Sequence, residues 1–476
     1  MTERTVDRLV RTARANLRRR FARQPVAVAV SGGGSQGSFE TGALRYLYDE
    51  LNVRPSILCG SSVGAIIAAK LAEGDDPETG RRAIDDLEAI WRGLRGNEDM
   101  WLPEPWLDKL RVHTAWATSM RDRAGEHGTT GSQTRVVLRM LGEIVRNPPE
   151  ADGTLDALRQ ALRAKSLLRM DPVREILAER INPALIEQSG IALRIGAVSL
   201  ESGALRYITE TGAMCARDGT PLDVDPVPLR DAVLASASIP VIFPPTELAG
   251  EHYVDGGARE ILPLELAITN LGARHIFAVV ASTPGVDEIQ DIGDRGLLDI
   301  ARRVASDIGP DETLRKEMHP PRGWGRRVTF IAPELDVHDA LTIDPVLISA
   351  SLDYGYMRAA DVLLGLDPKA ARLSREIARA RMRIREAEGP VVGFDADPPD
   401  EPSEEVVAAE IIDVQTARLT ELVAARRAAG APLPPGECER VRLASFGESE
   451  VETASVSDPR AADARDGPLS PRPDPS

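Results

Sequence analysis

The stretch that most constrains this chain is VAVAVSGGGSQGSFETGAL, Val26–Leu44. An alternating run of valine and alanine ends in three glycines, and helix-like sequence follows to about residue 51. A strand, a glycine turn and a helix in that order open a βαβ unit. The pattern recurs at once: a short apolar strand, Ser56–Cys59, a Gly/Ser turn, then the apolar helix Val63–Ala72. Two such units in succession commit the N-terminal part to an α/β fold with a mainly parallel sheet and helices on its faces.

Further strand candidates follow a gap. Residues 78–188 read as a mostly helical insert carrying Trp91, Trp101, Trp106 and Trp116. Sheet pattern resumes with IALRIGAVSL, a Ser202-Gly203 turn and ALRYITE, then His275–Ser282 and Arg327–Glu334. A helix over Asp344–Leu364 closes the core. The expected organisation is a basic amphipathic helix over 1–24, a main α/β domain over 25–365, a charged helical extension over 366–430 and a disordered acidic, proline-rich tail over 431–476.

Charge limits the partners. The net charge is −16, which argues against general nucleic-acid binding. It is unevenly spread: the first 23 residues carry roughly +6 and the stretch from about residue 395 roughly −10. The basic helix has an apolar stripe through Val6, Leu9, Val10, Ala13, Leu17 and Phe21. It can pack on the domain, or it can lie on an anionic lipid surface. Three widely separated cysteines, Cys59, Cys215 and Cys438, give neither a disulfide framework nor zinc-ligand spacing. With no signal-peptide pattern and no long apolar run, a cytoplasmic location is expected, with peripheral membrane contact through residues 1–24.

The chemistry concentrates in three places. Gly60-Ser61-Ser62-Val63-Gly64 fits G-x-S-x-G between a strand and a helix, the setting of a nucleophile elbow. Such a turn lifts the Ser62 hydroxyl into the open, and the helix behind it favours developing negative charge. The Gly32, Gly34 and Gly37 loop fits G-x-G-x-x-G, the phosphate loop of a dinucleotide site. That reading wants a carboxylate at the end of the second strand, and Leu58-Cys59-Gly60 offers none. The loop is better read as an oxyanion hole built from the N–H groups of Gly33 and Gly34, with Gly32 as a further candidate. Asp255, ahead of Gly256 and Gly257 in HYVDGGAREILPL, ends a strand-like run and is the candidate general base. Its ordinary pKa is too low for that work near neutrality, so its surroundings must raise it. A Ser-His-Asp triad using His275, His319 or His338 is the alternative within the same chemistry, and a nucleotide-binding oxidoreductase on Gly32–Gly37 is the alternative outside it. A non-catalytic lipid-binding scaffold is a third reading, against which the joint presence of Ser62, Asp255 and the glycine loop argues.

At these residues the chain resembles the patatin-like phospholipases. Four blocks occur in order: AVSGGGSQGSFETGALRYL, GSSVGA, ASASIPVIFPP (Ala235–Pro245) and YVDGGAREILPL. The resemblance implies a three-layer α/β/α fold, a Ser62–Asp255 dyad without histidine, and no metal or cofactor. It also implies acyl-ester hydrolysis of a lipid substrate through an acyl-enzyme. One position departs from the family pattern: Gln36 stands where the glycine block commonly carries Arg or Lys. That leaves the chemistry in place and the head-group preference open. The tryptophan-bearing insert is expected to serve either as core or as a lid over an apolar cleft.

Overall fold

A computed structural model of the chain describes residues 3–21, 24–106, 164–286, 303–321, 327–389 and 402–436, with a few single positions between 287 and 326. The N-terminal half runs α1 (Glu3–Phe21), β1 (Val26–Val30), α2 (Gly37–Arg45), β2 (Ile57–Gly60), α3 (Val63–Leu71), α4 (Pro77–Gly93), and the two-residue strands β3 (Leu102–Pro103) and β4 (Leu168–Arg169). Then come α5 (Asp171–Arg180), α6 (Pro183–Gln188), β5 (Ala192–Ser199), β6 (Leu205–Thr209), β7 (Met214–Ala216), α7 (Leu229–Ser236), β8 (Thr246–Leu248), β9 (Glu251–Asp255) and β10 (His275–Val279). The chain closes with α8 (Gly309–Glu317), β11 (Val328–Ile331), α9 (Pro345–Leu364), α10 (Pro368–Ala387) and α11 (Pro402–Ala428).

One sheet organises the described residues. Its order is β11-β10-β1-β2-β5-β6-β7, with β8 and β9 attached along β5. The pairs from β11 through β5 are parallel, and β6 to β9 run antiparallel. Alternation in β1 shows why the strand is apolar throughout. Val26, Val28 and Val30 face a large core shared with α2, α3, α4, α7 and α9. Ala27 and Ala29 face a second core with Leu262, Leu264, Ile268 and Leu314 of α8. A parallel strand buried on both faces carries no polar face. The result is the three-layer α/β/α arrangement expected from sequence.

Helices α2 and α9 cross at unusually close range. A Cβ on Gly42 would sit 1.9 Å from the Leu352 carbonyl oxygen, and one on Gly355 would sit 2.0 Å from that of Phe39. Glycine at both crossings lets the backbones touch, which buries α2 on nearly every side.

The terminal helices are docked on this body. Phe21 of α1 is buried against His275 and Phe277, and Arg14 pairs with Glu50 at 2.5 Å. Among the two readings of the basic helix, the described side chains therefore show packing on the domain. The helical extension is likewise integrated. Arg426 of α11 is fully buried, with its guanidinium 2.9 Å from Asp361 of α9 and 2.6 Å from the Ser374 hydroxyl of α10. Trp91, Trp101 and Trp106 are core residues, and Trp91 donates to the Thr41 hydroxyl at 2.8 Å. Trp116 and most of the insert lie outside the described residues, as do all but the first six residues of the tail expected over 431–476. Among the described residues no helix is long and apolar enough to cross a membrane.

Candidate active site

The geometry of the site follows from one edge of β5. Strand β2 pairs along that edge as far as Gly60 opposite Ile195. Strand β9 takes over the same edge from the other direction, with Asp255 opposite Ala197. One runs up to the junction and the other runs down to it, so their C-terminal ends meet across Gly196. Two residues along a strand span about 7 Å, which sets the last residues of β2 and β9 close together. Ser62 follows the first end and Asp255 is the second.

Ser62 occupies the turn between β2 and α3 with φ 58° and ψ −136°, a conformation rare for a side-chain-bearing residue. The turn is held from two sides. The Ser62 N–H donates to the Ser236 hydroxyl at 3.1 Å, and that hydroxyl donates to the Gly196 carbonyl at 2.6 Å. The glycines flanking the serine leave no room for side chains. A Cβ on Gly60 would lie 2.2 Å from the Gly64 carbonyl oxygen, and one on Gly64 would lie 2.5 Å from that of Val30. The neighbouring Ser61 hydroxyl donates to the Glu260 carbonyl at 3.1 Å and lies against Gly196 and Gly256, 2.9 Å from where a Cβ on either would sit.

Asp255 is 6% exposed and Ser62 8%. The Asp255 N–H donates to the Ser238 carbonyl at 2.9 Å, and its carboxylate accepts from the Gly257 N–H at 2.8 Å. Burial pushes the carboxyl up to about 6, while the Ser62 hydroxyl and the Gly257 N–H pull it part of the way back. The upward shift that the sequence reading required is present, and its cause is desolvation. Gly256 lies so close to β5 that a Cβ would be 2.4 Å from the Gly196 carbonyl oxygen.

The glycine loop leans on the same serine. A Cβ on Gly32 would be 2.5 Å from that of Ser62. Gly34 has φ +57°, and a Cβ there would be 2.0 Å from the Ala340 carbonyl oxygen. Gly37, at the start of α2, lies against Val63, whose Cγ1 would be 2.8 Å from an added Cβ. Gly32 departs from the expected set of oxyanion donors, because its N–H donates to the buried Glu40 carboxylate at 3.3 Å. Its part is close packing, and Gly33 and Gly34 are left as the candidates.

A strap from the segment after β11 closes the outer side of this loop. The Ala340 carbonyl accepts the Ser35 N–H at 2.9 Å, and the Asp339 carbonyl accepts the Ser35 hydroxyl at 2.8 Å. Gln36 is buried and donates its amide to the His338 carbonyl at 2.9 Å. The residue that replaces the family's usual cation thus makes a neutral structural link. These contacts also count against a dinucleotide site. The Ser35 N–H is taken by the strap and the Gln36 N–H by the Gly33 carbonyl, so neither faces a phosphate.

The described histidines stand elsewhere. His338 sits between the Ser35 and Ser38 hydroxyls, at 3.3 Å from each. His275 meets Thr329, His319 meets the Arg315 carbonyl, and His252 pairs with Glu201. None of these contacts involves Ser62 or Asp255, and His113 and His127 lie outside the described residues. Sequence reading missed Ser236 and Ser238, which anchor the two site residues from one segment. Both lie in ASASIP, and the paired serines beside a proline were the available signal.

The fold is a three-layer α/β/α arrangement that carries a serine at a strand-to-helix turn beside a buried carboxylate. The model of the Patatin-like phospholipase family matches residues 28–268, just over half of the chain, and the chain belongs to that family. Among solved structures it is similar to VipD from Legionella pneumophila, at 14% identity, covering 86% of this chain and 88% of that one with a TM-score of 0.31. It is also similar to human GIVD cytosolic phospholipase A2, at 12% identity, covering 59% of this chain and 50% of that one with a TM-score of 0.26. A third similarity is to the ExoU–SpcU complex of the Pseudomonas aeruginosa type III secretion system, at 16% identity, covering 89% and 86% with a TM-score of 0.21. No curated protein matches the chain. Family membership rests on the match across residues 28–268.

Proposed function

We propose that the chain hydrolyses acyl esters of phospholipids or lysophospholipids with a Ser62–Asp255 dyad. The observation that carries this reading is the shared edge of β5, which sets the strand ends before Ser62 and at Asp255 against each other. Asp255 takes the proton as the Ser62 Oγ attacks the ester carbonyl. The Gly33 and Gly34 N–H groups meet the oxygen that becomes negative, where one preorganised donor contributes about 3 kcal/mol. Collapse breaks the ester bond, and the Asp255 proton goes to the departing alcohol. Water, deprotonated by Asp255, then attacks the acyl-enzyme and frees the fatty acid and Ser62. The substrate is drawn from a lipid surface that the protein meets from the aqueous side, and the working unit is residues 25–365.

The test pairs a long-chain fluorophosphonate with fatty-acid release from lysophosphatidylcholine and from phosphatidylcholine vesicles. Wild type is expected to label at Ser62 and to release fatty acid. Ser62→Ala is expected to lose labelling and at least about 10,000-fold in kcat. Equal release by wild type and Ser62→Ala would overturn the assignment.

A further inference from the structure

One buried group near the site is not used by the dyad. Glu40 lies in the first turn of α2 and has no solvent exposure. Its side chain reaches back across the start of its own helix to the end of β1. There a single oxygen, Oε1, accepts three hydrogen bonds: from the Ser31 N–H at 3.0 Å, the Ser31 hydroxyl at 2.8 Å and the Gly32 N–H at 3.3 Å. The other oxygen, Oε2, is buried with no partner. Burying a carboxyl with one oxygen unpartnered is costly, so the bonds made by the other oxygen call for an explanation.

What it holds leads to the reacting atoms by two routes. Gly32 is in direct contact with Ser62, as the 2.5 Å approach of an added Cβ shows. The Ser31 hydroxyl also accepts the Ala281 N–H at 3.0 Å, and the Ala281 methyl would be 3.0 Å from a Cβ on Gly33. One carboxylate oxygen therefore fixes the residue behind the nucleophile and, through Ser31 and Ala281, the wall behind Gly33. By taking the Gly32 N–H, it also fixes the peptide plane at the start of the glycine turn.

Resting on the hydrolase reading above, we propose that Glu40 is the positioning residue of the oxyanion loop: its Oε1 grips Ser31 and Gly32, and so sets where Gly33 and Gly34 meet the oxygen of the tetrahedral intermediate. Burial pushes its carboxyl up to about 7, and the bonds from Ser31 and Gly32 lower it part of the way. The three donors need an acceptor oxygen at this point, which a neutral amide also supplies. The chemistry that recognises substrate here is therefore the backbone, and Glu40 acts through it without touching the ester.

The experiment uses the full chain with Glu40→Gln, Glu40→Ala and Ser31→Ala, a water-soluble nitrophenyl ester, and fluorophosphonate titration of active Ser62. Glu40→Gln keeps the acceptor oxygen and is expected within about threefold of wild-type kcat. Glu40→Ala is expected to lose about 100-fold in kcat per titrated site, with KM within twofold and Ser62 labelling slowed by the same factor. If Glu40→Ala does not fold, Ser31→Ala decides the matter: it cuts the link to Ala281 and is expected to lose about tenfold in kcat at constant KM. A folded Glu40→Ala with wild-type kcat per site, or a Ser31→Ala with unchanged kcat beside an unfolded Glu40→Ala, overturns the role. Wild type that neither labels nor hydrolyses overturns the underlying hydrolase reading, and the Glu40 role with it.

Discussion

Replacing Asp255 by asparagine abolishes hydrolysis in this scheme, yet it makes the protein more stable, and the gain grows with pH. Asp255 titrates at about 6 in the fold against an ordinary 3.8. The folded state therefore holds the proton more tightly than the unfolded chain does. Stability is complete below the unfolded value and is lost as pH rises through the folded one. With about two units of difference and 1.36 kcal/mol per unit, the full cost of the ionised carboxylate is about 3 kcal/mol. At pH 5 about half of that has been incurred, and at pH 8 essentially all of it. The stability gap between Asp255→Asn and wild type therefore widens by about 1.4 kcal/mol from pH 5 to pH 8. Asparagine keeps an amide oxygen for the Gly257 N–H, so the local hydrogen bond survives the change. Urea unfolding of both proteins at the two pH values, followed by tryptophan emission, measures the gap. Glu40, Glu260 and Glu317 are also held above their ordinary values by burial, but both proteins contain them and they cancel in the difference. A gap that stays constant or narrows toward pH 8 would refute the claim that dehydration holds Asp255 up.

Two further predictions concern the rate and the C-terminal helices. The kcat/KM for a water-soluble ester is expected to rise about tenfold per pH unit up to about pH 6 and then to level, because Asp255 must be ionised to act as base. A pH–rate profile already flat at pH 5 would contradict this. Arg426→Ala leaves Asp361 buried without its cation and removes a partner of Ser374, so stability is expected to fall by about 3–5 kcal/mol, read as a lower urea midpoint.

The parts of this site that were legible in the sequence are those whose physics is local. Gly32–Gly34 and Gly60–Gly64 mark turns that side chains would block, and Asp255 before two glycines marks a strand end. What was not legible depends on partners far away in the chain. The sharing of β5 by β2 and β9 joins residues near 60, 197 and 255, and no periodicity announces it. Glu40 reads as a solvent-facing helix residue by polarity alone. It is buried because α2 is enclosed, with Phe39, Thr41, Gly42, Ala43 and Leu44 buried around it. Helical amphipathicity gives a surface face only to a helix that has one. Likewise Arg14, on a helix that suggested a lipid surface, is spent on Glu50 and on the Tyr46 ring.

Asp255 bonds Ser62 directly and Glu40 reaches it through Gly32, and both owe their raised pKa to burial, offset only by hydrogen bonds from their immediate neighbours. No basic side chain enters either balance. A cation beside Asp255 would stabilise its charge and weaken it as a base. In the proposed scheme dryness does the opposite, and it strengthens the Gly33 and Gly34 dipoles at the same time. Base strength and oxyanion stabilisation in that scheme therefore depend on one condition, the exclusion of water from the elbow. Water admitted there acts on both at once: it hydrates Asp255 and returns it toward 3.8, and it competes for the two N–H groups. The neutral Gln36 link to the strap fits this economy, since it holds the loop closed without bringing a charge to it.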